Sequence, residues 1–174
     1  MLLCASLMLP AHGKAEEDVT VVEKGGTRAT ITASPFDGRE PAGFVEVAIT
    51  SQGRTGKWKY GQTWLDPEKT GIPVAEIYSA GDRDFLFVHT YSGGASCCWS
   101  LLAFDLRDVK PLTRQVGSAS PIKLVRDAAG CELGAAITPT TSDRSRDPRS
   151  SFYCFDGKKL SKMSSGAPRR SRRE

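Results

Sequence analysis

Five cysteines, two histidines and a cluster of aromatic rings are the residues of this 174-residue chain with chemistry to offer. Cys97 and Cys98 are adjacent, in the run Tyr91-Ser92-Gly93-Gly94-Ala95-Ser96-Cys97-Cys98-Trp99, and with Cys131 and Cys154 they form an even set of four. Such a set indicates disulfides and an oxidising compartment. Four cysteines permit three pairings. A bridge between neighbours closes a small strained ring. The expected pairings are therefore Cys97 to Cys131 with Cys98 to Cys154, or the reverse, each bridge contributing about 2 to 4 kcal/mol. A four-cysteine zinc site would need two separated Cys-x2-Cys knuckles, and the chain has none. Without a Cys-x-x-Cys pair, thiol redox chemistry has no footing either.

His89 lies within an apolar run, where a satisfied interior histidine is the ordinary reading. A nucleophilic triad can be drawn on paper from Ser92 or Ser96, His89 and an aspartate. No Gly-x-Ser-x-Gly elbow supports it, so a serine-type hydrolase is the runner-up and no residue is assigned as catalytic. Asp82, Asp84 and Asp105 lack the spacing of a calcium loop, and neither metal nor cofactor is expected. Trp58, Tyr60 and Trp64, beside Lys57, Lys59 and Gln62, are the candidates for a recognition surface, since flat rings next to cations stack on sugars or peptides. The same rings can equally close one end of a core. Gly93, Gly94 and Ser96, in the turn before the cysteine pair, are the second binding candidate.

The run from Tyr91 to Cys98 resembles a group of uncharacterised bacterial exported proteins that commonly read Gly-Gly-Ala-His-Cys-Cys after an apolar strand. Ser96 stands here where histidine is usual. The resemblance implies export and supplies no activity.

These residues need elements to position them, and period-two alternation with β-branched runs marks the elements as strands. Val19–Val22 and Thr27–Thr32 flank Gly25-Gly26 as a first hairpin, and Phe44–Ile49 follows as a third strand. Residues 51–72 read as a long decorated loop with at most one short strand. Pro73–Ser79 is a strand, and Asp84–Tyr91 is apolar enough to be central and covered on both faces. Cys98–Leu106 is its antiparallel partner, with Gly93-Gly94 as the turn. Leu112–Val116, Ile122–Val125, Cys131–Ile137, Ser151–Phe155 and Lys159–Met163 complete the series, and Pro139–Arg149 is an exposed loop. The fold expected is all-β and mostly antiparallel, a sandwich or a wound sheet over residues 18–163. Gly81–Phe87 and Phe155–Leu160 resemble turns of propeller blades, but the chain is too short to close a propeller.

Residues 1–13 have the apolar run and small-residue ending of a signal peptide, with removal expected after Gly13. The formal net charge is +4, and Lys162, Arg169, Arg170, Arg172 and Arg173 against Glu174 supply all of it. Residues 164–174 therefore read as a disordered basic tail, attracted to anionic surfaces without sequence-specific nucleic-acid recognition. No apolar run reaches the roughly 20 residues of a membrane span. Together these features predict a periplasmic or secreted, disulfide-stabilised β module that binds a protein or an anionic envelope component without catalysis.

Overall fold

Glycine pairs and short polar turns cut the chain into hairpins, and twelve strands result among the described residues. β1 (Asp18–Lys24), β2 (Thr27–Ala33), β3 (Val45–Ser51) and β4 (Arg54–Tyr60) come first, then a one-turn helix α1 (Pro67–Thr70). β5 (Ala75–Ala80), β6 (Arg83–Tyr91), β7 (Trp99–Asp105) and β8 (Lys110–Ser118) follow. β9 (Lys123–Ala128), β10 (Cys131–Ile137), β11 (Ser151–Phe155) and β12 (Leu160–Lys162) end the series. This computed structural model describes residues 17–34, 43–62, 64, 67–92, 99–128, 131–138 and 151–163. Residues 1–13, 164–174, Pro139–Arg149, Gly93, Gly94, Ser96, Cys97 and Cys98 lie outside the described residues, and so do the expectations attached to them.

Every strand pairs antiparallel with its neighbour in sequence, so the chain folds as three consecutive four-stranded meanders. The fold is all-β, as the alternation indicates. The middle sheet is apolar on both faces because it is covered on both. Leu86 and Val88 of β6, with Leu102 and Phe104 of β7, pack on Ala29, Ile31, Val45, Val47 and Ile49 of the first sheet. Phe85, Phe87, Leu101 and Ala103 point the other way and pack on Leu133, Ala135, Ile137 and Phe155 of the third. Alternation along β6 and β7 thus feeds two cores at once. The turns at Gly81 and Gly157, noted for their likeness to propeller turns, each join two strands inside one meander.

The strand allowed for within residues 51–72 is longer than expected and opens directly from β3. β3 turns through Gln52-Gly53, with φ of 50° and 74°, into the full seven-residue strand β4. Both central residues in the left-handed region match the twist of a tight hairpin. The strand was obscured because one of its inward positions is Gly56. That glycine leaves room for the Trp58 ring, which lies across the place where a Cβ would stand.

The cysteine pairing also differs from expectation. Cys131 joins Cys154 directly, with Cα atoms 5.7 Å apart, which rules out both cross-pairings with Cys97 and Cys98. The reason is topological. β10 and β11 are neighbours in the third sheet, so the two cysteines meet without help from the second. Met163 closes over the bridge, its Sδ 3.4 Å from one sulfur and 3.6 Å from the other.

Candidate functional site

Trp58, Tyr60 and Trp64 are turned toward the core, Trp64 buried and the other two half-buried. Trp58 and Tyr60 occupy inward positions on β4 and set their rings against Phe104, with centroids 5.1 and 6.3 Å away. Trp64 is buried in the same cluster. The rings join the first sheet to the second, and Gln62 behind them is buried as the acceptor of a 2.6 Å bond from the Thr90 hydroxyl. Of this aromatic and basic group among the described residues, only Lys57 and Lys59 are exposed. Lys57 pairs with Glu46 at 2.8 Å, and the Lys59 ammonium lies 3.8 Å from the centre of the Phe44 ring.

The titratable cluster of the molecule lies instead between the second and third sheets. Glu76 and Tyr78 sit two apart on β5, opposite Phe87 and Phe85 of β6, so their side chains share a face with His89. The Tyr78 hydroxyl donates to Glu76 Oε2 at 2.7 Å, and His89 Nε2 stands 3.5 Å from Glu76 Oε1. From the third sheet the Arg126 guanidinium covers the Tyr78 ring at 4.5 Å. The His89 imidazole beside Glu76 and the Tyr78 hydroxyl hold the Glu76 carboxyl below its ordinary range, against burial, which raises it. Burial, then the bond to Glu76, pushes the Tyr78 phenol up to about 12. Tyr78 therefore stays a donor throughout the physiological range.

This arrangement joins sheets and does not build a nucleophile. His89 is 3% exposed, and its ring nitrogens make no hydrogen bond to a described residue, Ser92 included. The distance to Glu76 suits an ion pair when the ring is protonated and is too long for a good neutral hydrogen bond. Ser100 Oγ is likewise buried without a hydrogen-bond partner, but its strand position follows Thr90 onto the opposite face. Ser92 thus makes no hydrogen bond to His89, and Ser96, the other serine considered, lies outside the described residues.

The aspartates once weighed as a calcium set are dispersed. Asp84 accepts from Ser79 at 2.6 Å and pairs with Lys24 at 3.1 Å, whereas Asp82 faces Arg107 at 3.6 Å. Asp105 is fully buried, pairs with Arg83, and takes the backbone N–H groups of Arg107 at 2.9 Å and Asp108 at 3.4 Å on its other oxygen. No group of three ligand-type residues capable of holding a metal occurs among the described residues.

Glu76 and Tyr78 were not among the residues singled out from the sequence, although a signal for them exists. A tight turn at Gly81-Asp82 fixes the register of β5 on β6, and that register places both residues on the face of His89. Arg126 was not readable, because nothing local says which strand of the third sheet covers β5.

The Glu76 contacts predict a pH dependence. A carboxyl whose folded value is depressed adds stability above its unfolded value, near 4.5, and that contribution is lost as pH falls through the folded value. Urea midpoints between pH 3 and 7 should fall below pH 4.5 in the parent chain, and part of that fall should be absent in Glu76→Gln. Parallel curves for the two proteins would refute the assignment.

No protein family, curated protein or solved structure matches the chain.

Proposed function

We propose that the protein is an exported, disulfide-stabilised β module that binds a protein or an anionic component of the cell envelope and performs no reaction. The bridge between Cys131 and Cys154 supports an oxidising location, because such bridges persist outside the reducing cytosol. The observation that carries the binding reading is the outer face of the first sheet. There, strand by strand, Val19 and Val21, Thr30 and Thr32, Glu46 and Ala48, and Lys57 and Lys59 stand in register on one side. Val19 is 60% and Val21 43% exposed, the exposed large hydrophobics of the described surface. The exposed valines line the edge strand β1, Thr30, Thr32 and Ala48 continue the face inward, and Glu46, Lys57 and Lys59 charge its far side, so an apolar margin and a charged one lie on a single face open to a partner.

The test is a photo-crosslinking amino acid placed at Thr30 or Ala48 in the producing cell, with the interior position Val47 as control. Adducts at the outer positions and none at Val47 are expected. Co-sedimentation with phosphatidylglycerol vesicles, compared with phosphatidylcholine and repeated at high salt, reads the envelope arm. An absence of both adducts and vesicle binding would overturn the proposal.

A further inference from the structure

Among the described residues the four-stranded sheets leave six lateral edges, and five of them are guarded. β4 carries Arg54, Lys57 and Lys59 along its length, and β12 is three residues long. β8 contains Pro111 and pairs with β7 through two register shifts. β9 carries Lys123 and Arg126, and Asp127 has a left-handed φ of 48°. β5 is tied to β1 through Lys24, which bonds Ser79. Prolines, bulges, charges and short lengths are the devices that stop an edge from recruiting another strand.

β1 has none of them along its centre. Val19, Thr20, Val21 and Val22 are four consecutive β-branched residues in a strand that pairs with β2 over seven residues without a break. Half of its backbone donors and acceptors face away from β2. Its charges lie at the ends: on the face toward the second sheet Asp18 at one end and Lys24 at the other, while Glu23 sits on the outer face, paired with Arg28 at 3.1 Å.

We propose that β1 is a dimerisation edge that takes the β1 of a second copy of this chain. An antiparallel pair about a two-fold axis normal to the sheet keeps each residue on its own face, so Val21 falls opposite Val21 of the second copy. In that register Asp18 meets Lys24 twice, on the face toward the second sheet, where Lys24 is already positioned by Ser79 and Asp84. A register shifted by two residues loses both charge pairs. Complementary ends around an apolar centre select a second copy of the same strand, and an isologous contact closes on itself without forming a fibre. The two first sheets become one eight-stranded sheet. The dimer depends on the strand edge, so it stands or falls separately from any ligand of the outer face.

Sedimentation equilibrium of the intact oxidised chain should show a concentration-dependent monomer–dimer equilibrium in the micromolar range, the strength suited to so small an interface. Val21→Lys sets two ammonium groups opposite each other and should weaken association by about tenfold or more. Asp18→Lys should weaken it at low salt and less at high salt. Val21→Cys should give a covalent dimer under mild oxidation, mapped to a peptide joined to its own copy, whereas Val19→Cys should not. All three positions tested are exposed, so thermal melting controls for folding. A chain that stays monomeric at high concentration, or a dimer indifferent to Val21→Lys and not captured by Val21→Cys, would overturn the proposal. Heterologous adducts at β1 without self-association would assign the edge to a different protein and refute the two-fold contact.

Discussion

Asp105→Ala is expected to lower the unfolding free energy by about 3 kcal/mol, seen as a large drop in urea midpoint with an unchanged slope. Two losses combine. The Arg83 guanidinium, partly exposed and held over the Phe85 ring at 5.0 Å, is left without its carboxylate. The N–H groups of Arg107 and Asp108 lose the acceptor that organises the turn between β7 and β8. Arg83 retains access to water, which keeps the cost near the lower end of the range for breaking a buried pair. Asp105→Asn keeps an oxygen for the two backbone donors and should cost distinctly less. Equal losses in the two variants would show that charge alone matters, and a loss under 1 kcal/mol for alanine would remove Asp105 as an anchor.

Cys131→Ala and Cys154→Ala are each expected to cost about 3 kcal/mol. The bridge closes a loop with a sequence separation of 23, and cross-linking a loop of that size removes about that much chain entropy from the unfolded state. For a domain of this length the change corresponds to a fall of roughly 6 to 12 °C in melting temperature. The double variant should lose little more than either single one, since the first substitution already opens the bridge. Peptide mapping without reduction should recover Cys131 and Cys154 in one linked product. Recovery of Cys131 linked to Cys97 or Cys98 would refute the pairing. With Cys131 and Cys154 committed to each other, Cys97 and Cys98 have neither as a partner.

The strands were legible wherever one rule sufficed. β10 and β11 match their expected bounds, Cys131–Ile137 and Ser151–Phe155, because alternation and turn residues agree there. β6 announced its central place through an unbroken apolar run, and burial of Phe85, Leu86, Phe87 and Val88 is complete or nearly so. β4 was hidden by Gly56 at an inward position and by a turn built on glutamine, a residue seldom read as a turn signal. The inward orientation of the aromatic triad was hidden for a different reason. Tryptophan beside lysine looks the same in sequence whether the ring points in or out, and only the register of β4 on β3 decides it. The bridge was misassigned because cysteine arithmetic counts residues without knowing which strands are neighbours.

Each meander is local in the chain, yet the middle one has no exposed side of its own. A chain that has emerged, N-terminus first, only as far as Ser118 carries all of β5–β8 and none of β9–β12, so Tyr78, Phe85, Phe87 and Leu101 have as yet no third sheet to pack on, and closure of the aromatic core waits on the last four strands.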